Sequence, residues 1–307
     1  MRVLISGSSG MIGRAVARSL AGDGHEVSRL IRPKSRSSGT GSVAAWDVLW
    51  DPAGDAFDAQ AAEGSDAVIH LAGASIGEGR WTEERKAILR ASRVDATRHL
   101  VSGLATLNAK PKVFIAASAV GFFGDRGEEK LNEYSGPGSD FLATLTRDWE
   151  QEAQRAAEFG ARVVTPRFGI VLSMQGGALP RMVLPTKLFV GGKLGSGRQW
   201  ISWITLADAV SAIRFALMNE AVRGPVNAVS PNPERNSDFT RALAGALHRP
   251  AIFPAPAFAL RLMLGEMADA LLLSGQRALP ERLMSLGYIH QDPILASALA
   301  RIVAERL

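Results

Sequence analysis

Short apolar runs alternate with longer amphipathic stretches through the first two thirds of the chain. The runs predict strands, and the stretches with apolar residues at three- and four-residue spacing predict helices. We expect strands at residues 3–5, 25–31, 66–71, 112–117 and 162–166, and long helices at about residues 82–107 and 141–159. This alternation is typical of a parallel, doubly wound sheet with right-handed crossovers.

The carboxyl ends of these strands should share one edge of the sheet. Doubly wound sheets bind their ligands outside that edge, near the point where the strand order reverses. The sequence therefore predicts one crevice, on which the loops converge after Ile5, Ile31, Ile69 and Ala117.

The composition of the chain changes after about residue 170, where Gly and Pro cluster repeatedly. Such clusters are typical of loops and short elements rather than of a second nucleotide-binding domain. We therefore predict an α/β fold with a doubly wound parallel sheet in residues 1–170 and a smaller C-terminal α+β substrate lobe in residues 171–307. Some elements of the second region are expected to return to the first.

A glycine-rich turn joins the first predicted strand to the first predicted helix. Its glycines have a G-x-x-G-x-x-G spacing, in which the first permits a tight turn, the second lets a pyrophosphate approach, and the third lets the helix pack closely on the strand. The helix N-terminus adds free amides and a partial positive charge. A glycine-rich loop without a ligand is the alternative. The predicted dinucleotide contacts are Gly7, Ser8, Ser9, Gly10, Met11, Ile12 and Gly13.

The end of the second predicted strand indicates which dinucleotide fits. Proteins that prefer NAD place a carboxylate there, about 20 residues beyond the glycine turn, to bind the ribose hydroxyls. Here Arg32 follows the strand, and no acid lies between Glu26 and Asp47. A carboxylate would repel a 2′-phosphate, whereas an arginine can bind it bidentately. Arg32, helped by Lys34 or Arg36, therefore predicts NADP(H), and a solvated loop arginine is the alternative.

Composition narrows the range of functions. The 307 residues carry a net charge of +5 without a basic block interleaved with aromatics, so nucleic acid is not expected as a partner. The absence of cysteine excludes disulfides, thiolate catalysis and zinc–thiolate sites, and we predict no metal site. The apolar stretch at residues 258–273 is short and interrupted by charges, which predicts an amphipathic helix rather than a membrane span. With no charged leader before the first strand, we expect a cytoplasmic protein without a membrane partner.

Longer motifs follow one another in a fixed order: GSSGMIG, HLAGASI, SAVGFFGDRGE, PRFGIVLS, GGKLGSGRQWISWI and RPAIFPAPAFALRLMLGE. In these motifs the chain resembles the extended, atypical branch of the short-chain dehydrogenase/reductase superfamily. More specifically, it resembles the NAD(P)-dependent epimerase-like subfamily with a characteristic C-terminal domain of unknown function. The resemblance covers nearly the whole chain. It implies a Rossmann-type fold, a nicotinamide cofactor, a substrate lobe whose family-specific segment begins at about residue 250, and a monomer or homodimer.

Further cofactor contacts are predicted around the crevice. The third strand ends in a turn of small residues, which would let the backbone lie against a ribose. By the resemblance, a helix that includes Lys86 lines the same groove, although this lysine also fits the solvated face of that helix. These considerations add to the predicted cofactor set Ile31, His70, Leu71, Ala72, Gly73, Lys86, Ser92 and Arg93. Arg167 follows Pro166 at the end of a predicted strand, and this position predicts that it reaches the cofactor, with a substrate contact as the alternative.

The catalytic residues are only partly recognisable. Members of the superfamily use a Ser at the end of the fifth strand to hold the substrate oxygen, and a downstream Tyr, assisted by a Lys four residues later, to transfer the proton. Ser118 matches the first element, although a Ser that merely ends a strand by bonding backbone would look the same. The only tyrosines are Tyr134 and Tyr288, followed four residues later by Gly138 and Asp292. The Tyr–Lys pair is absent, so the usual reductase mechanism cannot be carried over.

Replacements for the missing pair are scarce. Related sequences often have two tyrosines where this chain has Phe122 and Phe123, and a phenylalanine cannot transfer a proton. The remaining candidates near the crevice are predicted to be structural or solvated rather than catalytic: Asp125, Glu128, Tyr134 and Glu150.

A glycine-rich loop at residues 191–203 is the predicted substrate region. In nucleotide-sugar epimerases the comparable region holds an arginine on the substrate phosphate, and by this resemblance Arg198 takes that role. The predicted substrate contacts are Arg198, Gln199 and Trp203, with packing between lobes as the alternative for the tryptophan.

Two functions remain open. The first is an NADP-dependent oxidoreductase or epimerase that transfers a hydride to or from a small carbonyl, hydroxyl or nucleotide-sugar substrate. The second is a non-catalytic NADP(H)-binding redox sensor or regulatory protein. The lost Tyr–Lys pair favours the sensor. The glycine-rich loops of the substrate lobe favour the enzyme, which is our leading hypothesis.

Overall fold

The computed structural model describes residues 1–33, 47–54 and 56–305. Its strands are β1 (Arg2–Ser6), β2 (Glu26–Ile31), β3 (Val48–Leu49), β4 (Ala67–His70), β5 (Val113–Ala116), β6 (Ser118–Ala119), β7 (Lys130–Leu131), β8 (Arg162–Phe168), β9 (Ile170–Leu172), β10 (Trp200–Ile201), β11 (Trp203–Thr205), β12 (Gly224–Ala228), β13 (Glu234–Arg235) and β14 (Arg277–Ala278). Its α-helices are α1 (Met11–Gly22), α2 (Ala59–Ala62), α3 (Glu83–Arg90), α4 (Ala96–Ala105), α5 (Phe141–Gln154), α6 (Leu179–Lys187), α7 (Leu206–Met218), α8 (Asn236–Leu247), α9 (Ala257–Leu264), α10 (Glu266–Ala268), α11 (Glu281–Ser285) and α12 (Leu295–Ala304).

One large sheet organises the fold. Seven strands follow the order β12–β8–β5–β4–β1–β2–β3, and β6 pairs with β8 beyond the end of β5. These neighbours are parallel throughout. The predicted doubly wound α/β fold is confirmed. Because the chain moves outward from β1 to β3 and then returns to the other side of β1, the strand order reverses between β1 and β4. That reversal places the ligand crevice at the carboxyl ends of these two strands.

The central strands are buried on both faces. Val3 and Ile5 pack in one core cluster with Val16 and Leu20 of α1, whereas Leu4 belongs to the cluster on the opposite face. Successive side chains of a strand point to opposite faces, so an uninterrupted apolar run supplies both layers. This arrangement explains why the strand signal in the sequence is a continuous apolar run and not an alternating one.

Part of the chain after residue 170 belongs to the large sheet. Strand β12 pairs with β8, and α7 shares the core cluster of α1. A separate core, called the second core below, lies around Trp203, Phe239 and Leu299. It joins β11, α8 and α12. The boundary predicted between residues 170 and 171 falls within β9, and β12 lies beyond it within the large sheet.

Three predicted helices are divided into shorter elements. The helix expected at about residues 141–159 is α5 followed by a 3₁₀-helical turn, Arg155–Phe159. The helix expected at about residues 82–107 is α3 and α4 joined by a π-helical turn, Ala91–Asp95. The stretch at residues 258–273 forms α9, α10 and a second π-helical turn, Asp269–Leu273. Gly265 separates α9 from α10 with a φ of 63°, a conformation that favours glycine.

Candidate functional site

The glycine turn (residues 7–13) links β1 to α1 and packs against the loop after β4. Gly7 has a φ of 67°, and a Cβ at this position would lie 2.7 Å from the carbonyl carbon of Leu71. A Cβ at Gly13 would lie 2.2 Å from the carbonyl oxygen of Gly7. Side chains do not fit at such distances. Both glycines are therefore required for the turn and for the close approach of the two loops.

The N-terminus of α1 opens on the crevice without a side-chain cap. Gly10 is the N-cap residue, and its amide donates to the carbonyl of Gly7 at 2.9 Å. The amides of residues 11–13, in the first turn of the helix, have no carbonyl partner within it. Together with the helix dipole they form an anion-binding site, which suits the pyrophosphate of a dinucleotide.

The end of β2 lies beside the glycine turn. Residues 26–30 of β2 pair with β1, and Arg32 follows the strand with an exposed side chain. Asp47, the next acid along the chain, forms a 2.6 Å ion pair with Arg29 and is almost fully buried. Arg32 therefore occupies the place where a carboxylate would favour NAD. Lys34 and Arg36, its predicted helpers, lie outside the described residues.

His70 ends β4 with its side chain in the core rather than in the crevice. Full burial lowers the pKa of its imidazole to about 4. Ser6 Oγ accepts hydrogen bonds from the amides of Leu71 and Ala72, so its hydroxyl donates to Nδ1 of His70 at 2.6 Å. Nε2 then donates to Thr97 Oγ1 at 3.0 Å. The ring therefore anchors the loop after β4, and the backbone of that loop is the part available to a ligand.

The π-helical turn at residues 91–95 carries two of the predicted cofactor contacts. Ser92 Oγ accepts a hydrogen bond from the amide of Ala74 at 3.1 Å. The guanidinium carbon of Arg93 lies 3.3 Å from the position of a Cβ on Gly73. The structure thus brings both side chains to the loop after β4. Such π-turns inside helices occur frequently at functional sites.

Lys86 lies on the same helix but has partners of its own. Its Nζ is 2.5 Å from a carboxylate oxygen of Glu266 and 3.3 Å from one of Glu83. The hydrogen bond to Glu266 is the main cause that raises the pKa of this amine. The lysine therefore connects α3 to the C-terminal part of the chain.

Ser118 lies at the carboxyl edge of the sheet and forms a closed cluster with Glu150 and Arg167. Its hydroxyl donates to Oε1 of Glu150 at 2.5 Å. Nε and Nη2 of Arg167 donate to the two oxygens of the same carboxylate, each at 2.8 Å. Arg167 is 3% exposed and Glu150 is 14% exposed in their side chains. The sheet register holds the cluster together, because Ser118 and Arg167 are neighbours across β6 and β8.

Ser118, Glu150 and Arg167 are called the Ser118 cluster below. Two phenylalanine rings pack against its arginine. The guanidinium carbon of Arg167 lies 3.5 Å from the ring centroid of Phe122 and 5.1 Å from that of Phe123. Nη1 of Arg167 is buried and has no hydrogen-bond partner among the described residues. The two phenylalanines therefore contribute to the site as a stacking surface.

Neither tyrosine forms part of the Ser118 cluster. Tyr134 is 85% exposed. Tyr288 is buried and donates to the backbone carbonyl and carboxylate of Asp208, and burial raises the pKa of its phenol. These placements leave Ser118 and Glu150 as the groups able to move a proton within the cluster.

The structure separates the predicted substrate residues. Trp203 is fully buried in the second core, which matches its packing alternative and not a substrate contact. Gln199 donates to the backbone carbonyls of Leu194 and Leu272 and so ties the loop to the C-terminal part. Arg198 is exposed on the same loop.

The side chains that fix Ser118 and His70 were not predicted from the sequence. Glu150 is predicted above to be structural or solvated, and the structure places its carboxylate on Ser118. Ser6 and Thr97, which fix His70, carry no signal in the sequence beyond their polarity in apolar surroundings. These contacts join residues far apart in the chain, so spacing could not reveal them.

The part of the chain that the structure describes offers neither a metal site nor a membrane span. In residues 1–33, 47–54 and 56–305, no group of three or more His, Asp or Glu side chains is placed to hold a metal ion. Over the same ranges, no helix is both long enough and apolar enough to cross a membrane.

Fold and site together define a Rossmann-type protein of the epimerase kind. Residues 3–228 match the family model described as the NAD dependent epimerase/dehydratase family, and residues 255–302 match a domain of unknown function, DUF1731. The chain therefore belongs to the NAD dependent epimerase/dehydratase family. The predicted resemblance is confirmed, including its C-terminal domain of unknown function.

Known relatives extend over the whole chain. An epimerase family protein of Mycobacterium leprae is 39% identical over 298 residues, which cover 97% of this chain and 94% of the relative. An epimerase family protein of Bacillus subtilis is 38% identical, covering 100% of this chain and 99% of the relative. The crystal structure of human epimerase family protein SDR39U1, isoform 2, with NADPH has a TM-score of 0.89 and 31% identity, with 100% of each chain covered.

Proposed function

We propose that the protein binds NADP(H) in the crevice and acts as an oxidoreductase or epimerase on a small carbonyl, hydroxyl or nucleotide-sugar compound. The observation that carries this proposal is the hydroxyl of Ser118, fixed by Glu150 at the same sheet edge as the glycine turn. Membership of the epimerase/dehydratase family supports it. The similarity to a human protein solved with NADPH supports the choice of the phosphorylated cofactor.

The residues present fit a nicotinamide dinucleotide. The uncapped amides at residues 11–13 would hold the pyrophosphate, and the glycine at residue 10 leaves their approach open. Arg32 would bind the 2′-phosphate, because a guanidinium can donate two parallel hydrogen bonds to it. When bound, the nicotinamide supplies a carbon that accepts or donates the hydride.

Ser118 would hold the substrate oxygen. Its proton is directed to Glu150, which leaves the lone pairs of Oγ available to accept a hydrogen bond from a substrate hydroxyl. The serine in this state is an acceptor, and this polarity favours the direction in which an alcohol is oxidised.

A proton path through two residues replaces the missing Tyr–Lys pair. While the carbinol carbon of a substrate alcohol gives up its hydride, the hydroxyl proton would pass to Oγ of Ser118. The serine proton passes to Oε1 of Glu150 over their 2.5 Å hydrogen bond. The alcohol thus loses one hydride and one proton and becomes a carbonyl. In the reverse direction Glu150 returns the proton through Ser118.

Arg167 is a positioning residue in this scheme. Its two hydrogen bonds fix both oxygens of Glu150, and the stacking on Phe122 fixes the guanidinium. The carboxylate therefore meets Ser118 in one geometry, without the cost of reorganising during the reaction.

The non-catalytic sensor is the second candidate. The same cluster favours it in one respect, since Ser118, Glu150 and Arg167 satisfy one another without a ligand. A buried cluster of this kind is also what a purely structural tie between β6, β8 and α5 would need. Turnover separates the two functions.

The test is a turnover assay on the cofactor-loaded protein. Wild-type protein with NADPH is exposed to a library of carbonyl compounds and nucleotide sugars, and with NADP⁺ to the corresponding alcohols, while absorbance and product mass are followed. We expect turnover with one compound class and a loss of about 100-fold in kcat for Glu150→Gln, the usual size of a general-base contribution. Glu152→Gln is the matched control, because this acid lies on the same helix but pairs with Arg98.

One result would contradict the enzymatic function, and another would contradict only the proton path. Tight NADPH binding without turnover of any compound would support the sensor. Turnover that Glu150→Gln leaves unchanged would remove the proposed proton path while keeping the oxidoreductase.

A further inference from the structure

A cavity opens at the amino ends of β8 and β12, on the edge of the large sheet opposite the crevice. Both strands run parallel to β1, so their first residues, Arg162 and Gly224, lie at the far edge from the glycine turn, which follows the carboxyl end of β1. The cavity has a volume of about 290 Å³, near the lower end of the range for small-molecule sites. It is lined by three arginines and by small or apolar residues: Arg162, Arg223, Arg282, Ala157, Ala161 and Val163. It is therefore separate from the regions assigned above to the dinucleotide and the substrate.

Arg162 is the fixed part of this lining. It is 7% exposed, and its guanidinium donates to three backbone carbonyls at the end of α7 and just beyond it, at 2.7–2.8 Å. Carbonyls at a helix C-terminus carry only partial negative charges, so they hold the guanidinium in place and offset part of its charge. In the described part of the chain, no aspartate or glutamate lines the cavity to balance the rest.

Arg223 and Arg282 have hydrogen-bond donors to spare. Arg223 is exposed, and in residues 1–33, 47–54 and 56–305 its side chain has neither a hydrogen bond nor an ion pair. The side chain of Arg282 makes one long hydrogen bond, from Nη1 to the carbonyl of Pro225 at 3.5 Å, and has no ion pair within the same ranges. Its Nη1 lies 3.6 Å from the position of a Cβ on Gly224, at the amino end of β12. Most of the donors of both guanidinium groups are therefore available to a ligand.

The electrostatic field in the cavity is positive. Burial is the main cause that lowers the pKa of Arg162, and the charge of Arg223 lowers that pKa further, so the two guanidinium groups lie close enough to repel each other. Glu220 acts in the opposite direction but does not line the cavity. Glu281 on α11 does not line it either, and its carboxylate accepts a hydrogen bond from Asn132 at 2.9 Å. Charges of one sign beside apolar walls attract ions of the opposite sign, so the cavity favours an anion.

The cavity lies where the two matched regions of the chain meet. Arg162 and Arg223 belong to the region that matches the epimerase/dehydratase family, and Arg282 on α11 belongs to DUF1731. The carboxylate of Glu133 accepts hydrogen bonds from the amides of Asn227 and Arg282, which ties β12 to α11 beside the cavity. An anion between Arg223 and Arg282 would therefore add a second connection between the two regions.

We propose that this cavity is a second ligand site, which binds a compact multivalent oxyanion, such as a phosphate monoester or a dicarboxylate, between Arg223 and Arg282. Each guanidinium can donate two parallel hydrogen bonds to an oxyanion, and Arg162 supplies a fixed charge beneath them. The volume suits a compact anion rather than a second dinucleotide. Because the site lies at the opposite edge of the sheet from Ser118, its ligand stabilises the junction with DUF1731 and does not contact the substrate.

The test is a titration of the protein, with and without NADPH, by inorganic phosphate and by succinate at constant ionic strength, followed by calorimetry and thermal unfolding. The two probes distinguish a phosphate group from a dicarboxylate. The variants are Arg282→Gln and Arg223→Gln, alone and together, which remove charge but keep polar side chains. Arg162 is left unchanged, because its hydrogen bonds to α7 support the fold. Arg241→Gln is the matched control, since this exposed arginine pairs with Asp238 within its own helix.

We expect at least one probe to bind the wild type in the presence of NADPH and to raise its Tm, because a ligand that binds only the folded protein stabilises it. Arg282→Gln should weaken this binding by about tenfold or more, as expected for the loss of charge-assisted hydrogen bonds. The double variant should abolish both the binding and the rise in Tm. NADPH affinity should stay unchanged in all three variants, which also shows that they fold.

Three results would overturn the proposal. The first is that neither probe binds the wild type. The second is that the double variant binds the probe as tightly as the wild type does. The third is a probe that NADPH displaces and that Arg282→Gln leaves unaffected, because such a probe occupies the phosphate sites of the cofactor and not this cavity.

Discussion

The two ends of the crevice, to which we assign the dinucleotide and the substrate, are built by different means. At the dinucleotide end, the backbone of the glycine turn and the first amides of α1 form the site, and side chains are kept away. At the proposed substrate end, three side chains form the cluster to which we assign the substrate: Ser118, Glu150 and Arg167. A backbone site depends on glycine spacing within one short segment. A side-chain site depends on the fold that brings distant residues together.

The difference predicts how each end tolerates substitution. A buried ion pair that loses one partner leaves an uncompensated charge, whereas an exposed arginine that is replaced costs the fold little. Changes at the Ser118 cluster should therefore affect folding as well as chemistry. Changes at Arg32 should affect the choice of cofactor alone.

The largest expected effect is on stability at the Ser118 cluster. Arg167→Ala leaves Glu150 without its ion-pair partner at 14% exposure, and we expect a loss of about 3–5 kcal/mol in the free energy of unfolding. Urea denaturation measures it. The double variant Arg167→Met with Glu150→Leu should recover most of the loss, because no charge stays buried. A loss below about 1 kcal/mol in Arg167→Ala would mean that the pair is solvated in solution.

The next largest effect is a pH dependence of the free energy of unfolding. It is caused by His70, which is buried beneath the loop after β4. The folded protein keeps His70 neutral down to a pKa of about 4, while the unfolded chain takes up a proton near the ordinary value of 6.5. Acidification from pH 6.5 to 4 therefore favours the unfolded chain, by about 3 kcal/mol in all at 1.36 kcal/mol per pKa unit. His70→Asn should remove this part of the profile.

The contribution of His70 to the free energy of unfolding is the difference between the wild type and His70→Asn. Burial raises the pKa of Glu133, which opposes the effect of His70 in the acid range. Comparing the wild type with His70→Asn across the same pH values cancels this contribution. Parallel stability profiles for the two proteins would show that the imidazole is not buried as described.

A smaller effect is expected at the dinucleotide end. Arg32→Asp replaces the proposed 2′-phosphate ligand by a repelling carboxylate, so NADPH affinity should fall by about 10- to 100-fold while NADH affinity changes little. Fluorescence titration with both cofactors measures the ratio, and circular dichroism checks the fold. Equal weakening of the two cofactors, or no change in either, would contradict the NADP(H) assignment.

The smallest effect is expected at Lys86. Its partner Glu266 is 47% exposed, so the pair is screened, and Lys86→Met should cost less than about 1 kcal/mol in unfolding free energy. We expect NADPH affinity to stay unchanged, because the amine is occupied by the two acids. A clear loss of NADPH affinity would restore Lys86 to the cofactor site predicted from the resemblance.

Much of the dinucleotide end was predictable from the sequence. Gly7, Gly10 and Gly13 lie within seven residues, and their spacing reports a local backbone geometry. The apolar runs of the central strands were equally clear, because both faces of the sheet are covered. The exposed arginine after β2 could be identified by counting from the glycine turn.

The substrate end was less predictable for a physical reason. Glu150 contacts Ser118 only because α5 packs on the sheet edge. Arg167 joins the cluster only because the pairing of β6 with β8 places it beside Ser118. His70 was predicted from its position at the end of a strand, but its ring turned inward to Ser6 and Thr97. The cofactor role of His70 stays a prediction. The same holds for the cytoplasmic location of the protein and for its monomeric or homodimeric state.

One measurement tests the central claim that both ends serve one reaction. A crystal structure of the protein with NADP⁺ would show where the dinucleotide lies. We predict the pyrophosphate on the amides of residues 11–13, the 2′-phosphate at Arg32, and the nicotinamide C4 facing a pocket that contains Oγ of Ser118. A nicotinamide turned away from Ser118, or a pocket filled by protein side chains, would contradict the account.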